Sequence, residues 1–191
     1  MSREPLVFAF HNQTLYRFER ADQRTASFFG GPLRVEFSGQ PFGPKPLHLI
    51  ACLSSLHIPA LSKPFLTSLP LIYGMHYGGC ELSYRVMSHC KLEILRMTPT
   101  SSLEDWPYPN FPPLIPFVPL RLHDTPRPAS YDEFTDRFPD MPAEPAELIV
   151  AVPPPATVGL SFWNDGDLDG VTIVFECDLK NKEVRAYNVT T

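Results

Sequence analysis

The 191-residue chain is short of the features that announce an activity. No apolar run approaches the roughly 20 residues that cross a bilayer as a helix, so a membrane partner is not expected. No phosphate loop, no G-x-S-x-G nucleophile turn and no Rossmann glycine pattern occurs. The four cysteines, at 52, 80, 90 and 177, follow no CxxC spacing and are sparse for a disulfide scaffold. They are expected as free thiols, mostly buried, in a reducing compartment. Sixteen lysines and arginines against 21 acids leave a net charge of −5 with no basic cluster, which argues against nucleic acid as a partner. The densest basic stretch, YRFERADQR, sets Arg17, Arg20 and Arg24 among Glu19 and Asp22 and reads as a solvated face. The opening MSREPLVFAFHNQ offers only a short apolar patch before His11 and Asn12, too short for a secretory core, so the expectation is a cytoplasmic protein.

What is present describes a globular fold. Apolar residues make up 43% and charged residues 19%, which excludes a disordered chain. Proline is distributed unevenly: fifteen of the 23 lie between Pro99 and Pro155, with none between Leu71 and Thr98 and none after Pro155. Because proline cannot donate to a ladder, the proline-free stretches are where central strands are expected. PLVFAF and TLYRFE flank a polar turn, LRVEFSG alternates Leu33, Val35 and Phe37 against Arg34 and Glu36, and PLHLIACL reads as a more fully buried run. Near the end VGLSFW, VTIVFEC and EVRAYNVT are separated by NDGDLDG and DLKNK, which makes hairpins the economical reading. Ser130 and Glu133 have the capping-box spacing of a short helix in SYDEFTDRF, and a second helix is weighed around FERADQRTASFF. The expected fold is mainly β (α+β), one domain over 1–191 of antiparallel strands and hairpins, barrel- or sandwich-like, with one or two short helices. Residues at about 99–155 are expected to form a proline-rich connector.

Residues 69–80, LPLIYGMHYGGC, read as a hairpin with its turn at Gly78-Gly79. That register sets Tyr73 opposite Tyr84, Leu71 opposite Val86 and Met75 opposite Leu82 on one apolar face. The other face receives His76 across from Glu81, with Ser83 and Arg85 further along. His76 and Cys80 then point to opposite faces and cannot form a thiolate–imidazole pair. His76, Glu81 and Arg85 remain candidates for a ligand surface. His89 and Cys90 diverge as strand neighbours, and no second pair stands at zinc-ligand spacing.

DGDLDGVTIVFE, from Asp165 to Glu176, fits the letters of a calcium loop, D-x-D-x-D-G and a later glutamate. Asp165, Asp167 and Asp169 would offer carboxylate oxygens to calcium. The entering Pro153, Pro154 and Pro155 rule out an EF-hand helix, and alternation after Gly170 extends the chain as a strand, carrying Glu176 roughly 20 Å away. What survives is an acidic turn, weighed as a calcium site against a solvated hairpin tip. In WPYPNFPPLIPFVPL, Pro113, Pro116 and Pro119 recur every third residue, the period of polyproline II. Trp106, Tyr108, Phe111, Pro113 and Pro116 are candidates for protein binding, although Leu114, Ile115, Phe117 and Val118 favour a stiff connector pinned across the domain's own core.

The order of several segments is similar to a known layout. A GGP turn at Gly30 to Pro32, PLHLIACLSSLHIPAL, LP entering LIYGMHYGG, SYRV and FWNDGDLDGVTIVFECDL together resemble the YwqG-like family of uncharacterised bacterial proteins. The resemblance covers about half the chain and implies a fold; it brings no reaction and no catalytic residues.

Three functions compete on this evidence. The first is a non-enzymatic module binding another protein, such as an inhibitor of immunity type, with no cofactor. The second is a calcium-binding β-domain using the aspartate turn. The third is a hydrolase of unfamiliar type whose groups, for example His48, His57, His76 or Glu81, converge in a pocket. Thermal unfolding with and without calcium tests the second: if the turn holds the ion, calcium raises the melting temperature and Asp167→Asn abolishes the rise. A solvated turn leaves both proteins indifferent to millimolar calcium.

Overall fold

The computed structural model describes residues 4–39, 47–62, 67–75, 79–99, 114–138, 140–159, 162 and 171–190. In chain order the strands are β1 (Val7–His11), β2 (Thr14–Arg20), β3 (Ser27–Gly31), β4 (Glu36–Gly39), β5 (His48–Ser54), β6 (Ser68–Tyr73) and β7 (Cys80–Ser88). They continue with β8 (Lys91–Pro99), β9 (Ile115–Leu122), β10 (Arg127–Pro128), β11 (Leu148–Val152), β12 (Val171–Asp178) and β13 (Glu183–Thr190). One short helix, α1 (Tyr131–Thr135), lies between β10 and β11.

All thirteen strands belong to one sheet, ordered β4-β8-β7-β13-β12-β11-β1-β2-β9-β3-β5-β6, with β10 pairing β2 beside this path. The protein is mainly β, as the alternation implies. β1 and β2 turn at Asn12 and Gln13, whose φ angles of 45° and 56° are those of a two-residue primed turn. β12 and β13 pair over eight residues, closed by a turn in which Asp178 Oδ1 accepts the Asn181 N–H at 2.9 Å. All seven residues of β5 are buried, as its unbroken apolar run predicts.

Alternate residues of the central strands serve two cores. Val7 and Ala9 of β1, with Leu148, Val150 and Val152 of β11, join the large core enclosed by the curled sheet. Phe8 and Phe10, with Ile149 and Ala151, face the opposite way into a smaller core beneath α1. There Phe134 and Phe138 meet the strand aromatics, the Phe8 and Phe138 rings standing edge to face at 5.3 Å. Ser130 Oγ caps α1 by accepting the Glu133 N–H at 3.1 Å. The Glu133 carboxylate ion-pairs with Arg127, so it is committed outside the helix.

Three expectations need correction. The weighed second helix at FERADQRTASFF is instead the end of β2, a bend and β3, because Phe18 and Phe29 are each drawn wholly into the large core. The 99–155 stretch, expected as a connector, supplies β9, β10, α1 and β11, and β9 runs between β2 and β3 despite its prolines. Pro119 is tolerated because its carbonyl accepts from Ala21 N–H at 2.8 Å, which turns its bond-less nitrogen toward the same side and away from β3. Pro116 sits at a bulge opposite Gly30, whose φ of 63° suits glycine and where a Cβ would collide with the Pro116 carbonyl. VGLSFW begins in a 3₁₀ turn at Ala156–Val158, and the rest of it, apart from Phe162, lies outside the described residues.

The third correction concerns the β6–β7 hairpin. Leu71, Tyr73, Met75, Cys80, Leu82, Tyr84 and Val86 do share the buried face, yet β6 pairs with β5, while β7 pairs with β8 and β13. Both edges of β7 are taken by longer ladders, so Tyr73 is not opposite Tyr84. The two strands meet through their tyrosine hydroxyls instead. Tyr84 donates to the Pro70 carbonyl at 2.7 Å and accepts the Ile72 N–H at 3.3 Å. The Tyr73 hydroxyl accepts the Cys80 N–H and stands 2.9 Å from the Cys80 carbonyl and from Asn188 Oδ1. Burial holds both phenols well above their ordinary range, so they stay protonated donors. Tyr84→Phe orphans two buried backbone groups and is expected to cost about 1–3 kcal/mol in urea unfolding. A loss below about 0.5 kcal/mol would mean that the hydroxyl bridge contributes nothing beyond the packing of the ring.

Candidate functional site

The predicted ligand surface falls on the outward face of β12, β13, β7 and β8. There the registers place charges on neighbouring strands: Glu183 is opposite Arg85, and Arg85 is opposite Glu93. Arg85 binds Glu183 at 2.5 Å and Glu93 at 2.8 Å, so its guanidinium is bracketed from both sides. Glu81 lies 3.6 Å from Arg185, which also approaches Glu176 at 3.8 Å. Tyr187 donates to Glu176 at 2.6 Å, and burial followed by that carboxylate raises the phenol's pKa. Arg85 therefore faces Glu183 and Glu93, and the partner of Glu81 among the described residues is Arg185. His76 lies outside the described residues, as do Trp106, Tyr108, Phe111 and Pro113 and the three aspartates Asp165, Asp167 and Asp169. Among the described residues no three His, Cys, Asp or Glu side chains gather as a metal site.

The histidines weighed for hydrolysis are engaged separately. His48 is buried within β5. His57, in the turn after β5, places Nδ1 at 2.7 Å from Ser27 Oγ, which also accepts the Ser54 N–H at 2.9 Å. Burial pushes the His57 imidazole below its usual pKa. A serine beside a neutral imidazole has the chemistry of an activated nucleophile, but Ser27 is wholly buried. The pair joins the ends of β3 and β5 and offers no hydroxyl to a substrate.

A recess of about 1000 Å³ opens beside α1 and the β1–β2 turn. Three of its polar side chains are spent on the backbone, and Glu133 is paired with Arg127. His11 Nδ1 donates to the Glu147 carbonyl at 2.6 Å, and the Tyr131 hydroxyl donates to the Pro142 carbonyl at 2.8 Å. Glu147 Oε2 accepts the Leu179 N–H at 3.0 Å. These bonds tie loops to the sheet.

A buried charge escaped the sequence reading. Glu19, 5% exposed, receives Arg121 at 2.5 Å and His123 Nδ1 at 2.7 Å. Arg121 stands opposite it on β9, and His123 follows two residues later, the spacing that keeps both on one face. That spacing is visible in RLH; the missing information was that β9 is the neighbour of β2. Arg17 binds Asp124 nearby, so this stretch is a paired face and Glu19 is not solvated. Burial alone would raise the Glu19 carboxyl, but the bonds from His123 and Arg121 outweigh it and hold the pKa below its ordinary value.

Pro116 is the protein-binding candidate within the described residues. It is exposed at the β9 bulge between Leu114 and Phe117, which are 47% and 45% exposed. The Phe117 ring packs on Phe28 with centroids 5.2 Å apart.

A carboxyl with a lowered native pKa stabilises the fold above its unfolded value, 4.5, and loses that contribution as pH falls through the native one. Glu19→Gln is therefore expected to be least stable relative to the parent near pH 7, with the gap narrowing below pH 4.5 in urea unfolding. A gap independent of pH would show that the charge contributes nothing. No family model, curated protein or solved structure matches the chain.

Proposed function

We propose that the protein is a non-catalytic binding module that engages another protein where β9 enters the sheet. The observation that carries this reading is the exposed pair Leu114 and Phe117 on either side of Pro116. Large apolar side chains exposed within one four-residue stretch favour contact with a partner over contact with water. The backbone beneath them is already fixed: proline sets φ at 116, and its carbonyl packs on Gly30. A stiff presenting strand loses little conformational freedom on docking. The net charge of −5 suits a partner with a basic surface, as an inhibitor of immunity type would meet. Free thiols at Cys52, Cys80 and Cys177, all buried, support residence in a reducing compartment such as the cytoplasm.

The test is affinity capture from lysate of the source cell with the parent protein and a Leu114→Asp/Phe117→Asp variant. The expected result is a partner retained by the parent and bound at least about tenfold more weakly by the variant, with unfolding midpoints matched to within a few degrees. Equal retention by a folded variant would sink the reading.

A further inference from the structure

A second feature lies on the outward side of β3, β5 and β6. Phe28, Cys52 and Pro70 stand in register across these strands and floor a recess of about 390 Å³. Leu33 and Val35, from the segment between β3 and β4, form its wall, and Phe117 closes one side against Phe28. The recess is concave, bounded by sheet on one side and a crossing segment on the other, and its volume is that of a small-molecule site.

Its charge is of one sign. Arg24, Arg34 and His89 line it without any aspartate or glutamate, in a chain whose net charge is −5. Arg17, Arg85, Arg121, Arg127 and Arg185 are all ion-paired. Among the described residues Arg24 and Arg34 have neither a hydrogen bond nor an ion pair. The lining hydroxyl, Thr25, is already committed to the Ser27 and Leu120 carbonyls. The available polar chemistry is thus two guanidinium forks and an imidazole over an aromatic and aliphatic floor. Planar forks match a carboxylate, and the floor matches a hydrocarbon.

We propose that this recess binds a small apolar carboxylate of the medium-chain or arylalkyl acid class. The hydrocarbon lies against Phe28, Phe117, Leu33 and Val35, and the carboxylate is held by Arg24 and Arg34. A compact acid suits a concave recess of this volume better than a protein surface does. The recess shares Phe117 with the proposed protein-binding surface, but its test uses a small ligand and no protein partner, so failure of one reading is distinguishable from failure of the other.

Decanoate, kept below its micellar concentration, is titrated into the full chain and followed calorimetrically and by backbone amide shifts. The expected result is saturation at one ligand per chain, with shifts centred on residues 24–35 and 117. Decanol is expected to bind at least about tenfold more weakly, since it forfeits the charged hydrogen bonds. Arg24→Gln/Arg34→Gln is expected to reduce decanoate affinity to that of decanol while leaving decanol binding and the melting temperature unchanged. Equal affinity for decanoate and decanol, shifts centred elsewhere, or parental decanoate affinity in the double variant would each overturn the proposal. So would binding of a peptide of alternating phenylalanine and glutamate without binding of decanoate, which would assign the recess to a protein interface.

Discussion

Burial of both faces of β1 and β11 is the constraint on which the rest of the structure depends. A strand shows alternate residues to opposite sides, so Val7 and Ala9 cannot be covered by whatever covers Phe8 and Phe10. Two separate covers are required. The sheet provides the first by curling until residues from β2 through β9 and from β12 and β13 meet those of β1 and β11 in one core. The second is α1, whose five residues are too few to be stable alone and are held by the Ser130 cap and the aromatic contacts of Phe134 and Phe138. The proline-rich middle of the chain is what delivers that helix to its place.

Curling brings the β6 end of the sheet toward β7 and β13 without a ladder among the described residues. Paired strands stand about 4.8 Å apart, a spacing that would force the large core to shrink if the gap were to close by backbone bonds. Tyrosine solves this by reach. The ring carries a hydroxyl across the core side of the gap and gives Pro70, Ile72 and Cys80 the partners a neighbouring strand would have given. The aromatic rings remain within the apolar cluster while their oxygens serve the backbone, so the same two side chains fill the core and bridge its opening.

How far the sequence is legible follows from what periodicity encodes. Alternation reports which side of a strand is buried, and for Leu71, Tyr73, Leu82 and Tyr84 that inference matches the structure. It carries no information about which strand lies alongside, and the β6–β7 pairing inferred from a glycine dipeptide fails for that reason. The β12–β13 pairing is legible because its connector leaves two long strands no closer alternative. β9 was hidden by a rule applied too broadly: a proline fits beside a neighbouring strand that its nitrogen is turned away from, and Pro119 turns its nitrogen away from β3, to the side where its carbonyl accepts from Ala21 just past the end of β2. The candidate site was less legible than the fold. Arg85 and Glu81 were placed on a charged outward face, but their partners depend on β13 and β8, which local spacing does not reveal.

The same logic separates the charges of the surface into two kinds. On strands, register sets a guanidinium beside carboxylates of the neighbouring strands, as it does for Arg85 between Glu183 and Glu93 and for Arg121 against Glu19. A guanidinium held in this way is already committed to carboxylates and has little left to offer an anionic ligand. Arg24 and Arg34 lie in the segments on either side of β3, outside any ladder, where no register supplies a partner. Their charge stays unspent at the rim of a recess that Phe28 and Phe117 also line, so the cations left without partners lie where the sheet's regular pairing stops.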